Sequence, residues 1–273
     1  MLKPAKSYNR KTVSLFVIAV VCAISAKSSA QVLVDRYSFN DGTANDSVGT
    51  RNGTLIGSAT VSGGLLNLPG GSVRANYLSL PVGSVITGNT SLTLEAWFSA
   101  SADQIDSKIW MFGASSSGSY LDYSPDHFAN GGGSVEITTS GQPEQSARGG
   151  GVPALNVEHQ VVGIYDFASS TVSYYLDGAF VASGTETVFP SSFPSSPNNY
   201  LGASLATYGD LDFKGSIDEF RIYGGTLDAT QVAHEFTAGP NVASLPEPTT
   251  CFMVLGSLGI FAGFRRRRGS RKL

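Results

Sequence analysis

The central part of the chain has no cysteine. Cys22 and Cys251 are the only two in 273 residues, and each sits inside an apolar segment near one end. Between them there is no disulfide, no thiolate zinc site and no cysteine nucleophile. A domain that folds without these staples relies on a large core or on bound ions. Positive charge is also scarce there. Only seven of the 18 Lys+Arg lie between residues 31 and 245, against 20 of the 21 Asp+Glu, a formal charge of −13. Such a surface argues against nucleic-acid binding and suits divalent cations.

Catalytic signatures are equally thin. The three histidines, His127, His159 and His234, share no metal spacing, and "HEFTAG" is not H-E-x-x-H. "GASLA" (202–206) lacks the closing glycine of a serine-hydrolase elbow. No glycine loop leads into a helix in the manner of a phosphate cradle, and no acids have EF-hand spacing. Glycoside hydrolysis requires two facing carboxylates. Asp210 and Asp212 read as loop, while Asp218 and Glu219 are adjacent and so point to opposite faces of a strand. Glu95 beside Trp97 offers a sugar contact or simply an outward strand face.

What is present is β-structure. "SLTLEAWFSA" (91–100) alternates, with Leu92, Leu94, Ala96 and Phe98 on one face and Thr93, Glu95 and Trp97 on the other. "HQVVGIYD" (159–166), "TVSYYLDGAFVAS" (171–183) and "GSIDEFRIYGG" (215–225) read as further strands. Asp177-Gly178 predicts a hairpin turn with positive φ at both residues. The Gly/Ser-rich stretches 113–119, 130–134 and 146–151 read as mobile loops at sheet edges. A single short helix is expected over 227–239, with Asp228 as N-cap and Gly239 just past its end. Many short strands between glycine-rich turns predict an all-β, two-sheet antiparallel jelly-roll sandwich over 31–239, followed by a linker at 240–245.

The stretches "YSFNDGTANDSVGTRNGTL", "SLTLEAWFSA", "VSYYLDGAFVAS" and "FKGSIDEFRIYGGTLDATQV" occur in an order and spacing that resembles laminin-G-like, concanavalin A-like domains. The resemblance implies extracellular use, binding of sugars or matrix proteins, and often a structural calcium. It points to Asp46 and Asp218 as side-chain calcium ligands, helped by carbonyls from about Gly49 to Gly53. The alternative is that Asp46 caps a turn and Asp218 pairs with Arg221 or a backbone amide. Trp97, Tyr120 and Tyr123 are the candidate sugar-stacking aromatics, with both tyrosines expected in a long exposed loop. The expected role is binding without catalysis; a structural matrix component and a glycosidase are the other readings.

The two ends read as targeting. Basic residues, the apolar run Val13–Ile24 and Ser28-Ser29-Ala30 fit a signal peptide over 1–30 cleaved by signal peptidase, with a retained membrane helix as the alternative. At the other end, Pro246-Glu247-Pro248 precedes an apolar stretch, Cys251–Phe264, and then Arg265, Arg266, Arg267 and Arg268. As a helix the apolar stretch spans about 21 Å, short of the ~30 Å hydrocarbon core. Residues 246–273 resemble the PEP-CTERM sorting signal. That implies a Gram-negative bacterium, transient insertion in the inner membrane, an exosortase partner, and a place at the cell surface or in the extracellular matrix with polysaccharide. A permanent single-pass anchor is the alternative.

Overall fold

A computed structural model describes residues 31–116 and 118–242; the expected signal peptide and sorting signal lie outside the described residues. Among the described residues, fifteen strands and two α-helices follow one another. They are β1 (Val32–Tyr37), β2 (Thr54–Ile56), β3 (Thr60–Ser62), β4 (Leu65–Gly71), β5 (Tyr77–Ser79), α1 (Gly83–Gly88), β6 (Leu92–Ala100) and β7 (Trp110–Ala114). Next come β8 (Ser119–His127), β9 (Gly132–Thr138), β10 (Gln145–Gly149), β11 (His159–Asp166), β12 (Thr171–Leu176), β13 (Ala179–Thr185), β14 (Asn198–Leu201), β15 (Asp212–Gly224) and α2 (Ala229–Ala238). All pairings are antiparallel and build two sheets. Sheet one runs β13-β12-β11-β6-β15-β4-β3, with β1 on the C-terminal half of β15; sheet two runs β10-β9-β8-β7-β14-β5-β2.

The predicted sandwich is what forms, because each inner face is apolar at every second residue. Leu92, Leu94, Ala96 and Phe98 of β6 meet Trp110 and Phe112 of β7, Leu121 and Tyr123 of β8, and Val135 and Ile137 of β9 in one core. Aromatic edges fill the middle: Phe112 meets Phe220 at 5.8 Å and 88°, and Phe98 meets Tyr123 at 6.0 Å and 63°. Such pairings add to the area that each ring buries. The Asp177-Gly178 hairpin takes positive φ at both residues, 50° and 74°, as the dipeptide predicts.

Helix α2 also follows its sequence signals. The Asp228 carboxylate accepts from the Thr230 and Gln231 amides, and Gln231 reaches back to the Asp228 amide. The consequence of this helix is larger than its length suggests. Val232 of the helix, with Leu227 just ahead of it, packs onto Val162, Ile164 and Tyr223, covering that part of the outer face of sheet one.

Much of the glycine-rich sequence lies in strands rather than in the loops between them. Residues 132–138 and 145–149 are strands β9 and β10, and Gly113 and Ala114 close β7 opposite Ser119 and Tyr120 of β8. Glycine is used there for close approach: a Cβ on Gly133 would lie 2.3 Å from the Tyr174 hydroxyl, and one on Gly113 would lie 2.0 Å from the Ser119 carbonyl oxygen.

One buried acid sets a pH dependence. Glu186, just after β13, is fully buried; its Oε2 accepts from the Asp166 amide at 3.0 Å, while Oε1 has no partner. Burial pushes its carboxyl up to about 9. The folded protein therefore holds a proton that the unfolded chain releases near the ordinary glutamate value, and stability falls as pH rises from about 4.5 towards 9. Glu186→Gln keeps the acceptor and removes the titration. It is expected to melt like the parent near pH 4.5 and to gain about 1–3 kcal/mol at pH 8, the scale for an unsatisfied buried polar group. Equal thermal denaturation curves at pH 8 would contradict this.

Candidate functional site

The two outer faces of the sandwich have different fates. Around Trp97, that of sheet one is covered by α2. Trp97 is 5% exposed and stacks on Phe236 of the helix at 5.7 Å and 8°. Glu95 lies beneath the helix, accepting from Trp97 Nε1 at 3.1 Å, Gln160 Nε2 at 2.7 Å and the Tyr223 hydroxyl at 3.0 Å. Trp97 is thus not a sugar platform; strand alternation put it on the face opposite the core, but that face is covered.

Tyr120 and Tyr123 both lie on β8 rather than in a loop. Three positions apart on a strand, they face opposite ways. Tyr123 points into the core, fully buried, its hydroxyl 3.1 Å from that of Tyr174, and is removed from the candidate site. Tyr120 points to the outer face of sheet two, where its hydroxyl donates to Glu144 at 2.6 Å and its ring meets Tyr208 edge-on at 5.3 Å.

The expected calcium pair is corrected as well. Asp46 Oδ1 accepts from the Arg36, Val48 and Gly49 amides and Oδ2 from the Arg51 amide, so this carboxylate organises its own loop. Beside it Asp35 is paired at 2.7 Å with the Arg51 guanidinium, which supplies the local positive charge. Asp218 sits at a bulge in β15. Burial first, then Glu158, pushes its carboxyl up to about 6, and its neighbours are Glu158 and Arg221 rather than Asp46. Neither aspartate completes a calcium shell with the other. Arg221 in turn pairs with Glu219, Glu95 and Glu235, not Asp218.

The outer face of sheet two carries the chemistry. Register places Tyr200, Met111, Asp122, Glu136 and Ser146 in one row across β14, β7, β8, β9 and β10. Asp122 and Glu136 are direct cross-strand neighbours, both buried. Lys108 Nζ lies 2.8 Å from Asp122 Oδ2. Glu136 Oε1 accepts from Ser134 Oγ at 2.5 Å and Arg148 Nη2 at 2.7 Å, and lies 3.2 Å from His127 Nε2. Arg148 also pairs with Glu144.

These surroundings push the two facing carboxyls apart in acidity. Burial, then the charges of Glu136 and Glu144, raises Asp122 well above the ordinary value despite Lys108. Burial also pushes Glu136 upward, but Lys108, Ser134, His127 and Arg148 together hold it below the ordinary value. Burial keeps His127 below the usual histidine value, and so neutral near pH 7. The Ala129 amide donates to His127 Nδ1 at 3.1 Å, which puts the ring proton of the neutral form on Nε2, facing Glu136.

Above this row are two adjoining spaces. A cavity of about 120 Å³ is lined by Asp106, Lys108, Asp122, His127, Glu136, Glu144 and Asp210, with Met111, Tyr120, Phe128 and Tyr208 around them. An open cleft of about 470 Å³ continues from Tyr120, Glu144 and Tyr208 along Thr138–Gln142. Among the described residues, one group could surround a metal ion: His127, Glu136 and Glu144, with ligand atoms within 4.8 Å of one another. Arg148 already bridges the two glutamates and the imidazole presents N–H to the group, so the charge that an ion would supply is met by side chains.

Sequence reading missed Lys108, Asp122, His127, Glu136, Glu144 and Arg148. The available signal was the alternation of "YLDY" and "SVEI", which puts an acid on the outer face of each of two neighbouring strands.

Residues 69–233, more than half of the chain, match the sequence pattern of a known family. The chain belongs to the concanavalin A-like lectin/glucanases superfamily. Solved structures similar in fold include domain 4 of AbnA, a GH43 extracellular arabinanase from Geobacillus stearothermophilus, in complex with arabinotriose. That likeness has a TM-score of 0.60 at 22% identity and covers 75% of this chain and 98% of that one. The fold also resembles the CBM40 of a Ruminococcus gnavus IT-sialidase bound to α2,3-sialyllactose, with a TM-score of 0.50 at 12% identity, over 62% of this chain and 95% of that one. A botulinum neurotoxin type C structure is similar at a TM-score of 0.57 and 12% identity over 77% of this chain, which spans only 51% of the toxin chain. No curated protein matches the chain significantly in sequence.

Proposed function

We propose that this superfamily member is an exported glycan-binding protein that acts without catalysis at the cell surface. The observation that carries this reading is the cleft on the outer face of sheet two, where Tyr120 and Tyr208 stand beside a row of buried, ion-paired side chains. An aromatic wall next to fixed polar groups suits a sugar, whose C–H faces are apolar and whose hydroxyls need directional partners. The arabinanase domain and the CBM40 are similar to this chain over nearly their whole length, and both structures hold an oligosaccharide.

What favours binding over cleavage is the state of the two carboxyls. Glu136 is engaged by serine, arginine and histidine, and Asp122 is ion-paired with Lys108, so neither presents a free acid–base pair to the open cleft. Export would follow from the signal peptide at 1–30 and the PEP-CTERM-like stretch 246–273, with signal peptidase and an exosortase as transient partners. Polysaccharide of the matrix is the lasting partner. A structural matrix component without a specific ligand is the second reading, and a glycosidase the third.

A glycan array probed with the purified protein, with and without calcium, tests this. Retention of intact glycans is expected, and Tyr208→Ala, at the more open ring of the pair, is expected to weaken it about tenfold, the effect of removing one good aromatic contact. Shortened glycans in the eluate would make the protein a hydrolase; an empty array would leave the structural role.

A further inference from the structure

The cavity beneath the cleft holds more negative than positive charge. Setting aside Asp122, whose acidity burial weakens, Asp106, Glu136, Glu144 and Asp210 line it, against Lys108 inside and Arg148 beside it. Both cations are already held in ion pairs, and burial keeps His127 uncharged. The carboxyls repel one another: beyond burial, Glu136 raises Glu144, and Asp106 raises Asp210. One acceptor is also left over. Asp122 is 1% exposed, yet its Oδ1 has no hydrogen-bond partner. A buried oxygen of that kind is costly unless a donor arrives.

One exposed aromatic ring stands at the cavity. Phe128 is 74% exposed although it lines the cavity, and its ring is backed by His127 at 4.6 Å. Ile105 and Leu211, the sequence neighbours of Asp106 and Asp210, are exposed as well. At about 120 Å³ the cavity is smaller than the ~300–1,000 Å³ of pockets that engulf a whole ligand. It suits a small cationic group, while the body of the ligand stays outside against the aromatic ring.

We propose that the cleft takes a glycan carrying free amino groups, a polymer of 2-amino-2-deoxyhexose, with one ring on Phe128 and its ammonium in the cavity among Asp106, Asp122 and Asp210. This rests on the glycan-binding reading above and adds the charge of the sugar. An acidic sugar would meet like charge here, and an N-acetylated one would bring no cation to the unpartnered Asp122 oxygen. The ring contact adds cation–π attraction where the ammonium passes the aromatic face.

Calorimetry on the full chain at pH 6 and 0.15 M salt tests this, with β-1,4-linked glucosamine hexamer, its N-acetylated counterpart and an oligolysine as probes. The glucosamine hexamer is expected to bind at least about tenfold tighter than the acetylated form. Asp210→Asn and Phe128→Ala, both at partly open positions, are each expected to lose about tenfold, while Asp41→Asn, an acid outside the cavity, changes nothing. Equal binding of the two hexamers overturns the amine preference and leaves glycan binding standing. Oligolysine that binds as well as the glucosamine hexamer and ignores Phe128→Ala makes the cavity a site for basic peptides and also overturns it. Silence with these probes and with every glycan on the array removes both readings.

Discussion

Arg221→Met is expected to destabilise the domain by about 3–5 kcal/mol, the scale for removing one partner from a buried ion pair. Arg221 is fully buried on β15 between three glutamates: Nη1 to Glu235 at 2.7 Å, Nε to Glu219 at 3.0 Å and Nη1 to Glu95 at 3.3 Å. Methionine fills much of the same volume but leaves those carboxylates facing one another with little countercharge. Arg36 still reaches Glu219 at 2.6 Å from the neighbouring strand, so Glu95 and Glu235 bear most of the loss. Glu235 belongs to α2, so the defect opens the seal over sheet one first. For a domain of this size about 1 kcal/mol moves the melting temperature by roughly 2–4 °C, so a fall of about 6–20 °C is expected. Adding Glu95→Gln and Glu235→Gln should restore part of it, because apolar or neutral replacements of a whole buried network are tolerated far better than half of one. A single variant within about 1 kcal/mol of the parent in guanidinium titrations would show that the network contributes little.

Lys108→Met is expected to have an effect of similar size, but one that depends on pH. The ammonium is 5% exposed, and its contacts with Asp122 and Glu136 hold it above the ordinary lysine value in spite of burial. Without it, the only countercharge left to Asp122, Glu136 and Glu144 among the groups named here is Arg148, with His127 neutral. At pH 7 the loss should again reach about 3–5 kcal/mol. The carboxyls left behind take up protons more readily in the folded than in the unfolded chain. The folded form then binds more protons, so the variant loses stability as pH rises and regains it as pH falls towards 5. Melting curves at pH 5, 6 and 7 check the slope; a loss independent of pH would mean that packing, not charge, was removed. Ligand affinity should fall with it, since Lys108 fixes the floor of the cavity.

Sequence alone carried the fold well and the site poorly, for physical reasons. Alternation in 91–100 and the Asp177-Gly178 turn are local properties of neighbouring residues, and the sandwich follows from repeating them. Asp228 and Gly239 marked the ends of α2 in the same local way. What α2 covers is not local: nothing near Trp97 in sequence says that Phe236 will lie on it. The Asp122–Glu136 pairing depends on the register of two strands, and Lys108, Arg148 and Asp210 arrive from three further segments. Glycine misled in a different way. Gly133 was read as freedom, whereas beside Tyr174 it is the absence of a side chain that lets two sheets touch.

The division of labour between the two outer faces also fixes which way the molecule looks. Strand β1 lies in sheet one, α2 lies on it, and Asn241 is tied back to Arg36 and Asn40 of that same side. The described chain thus enters and leaves at the back, and the cleft opens at the front. A bead coupled at residue 242 would therefore sit on the side of sheet one and leave the face that carries Tyr208 and Phe128 clear.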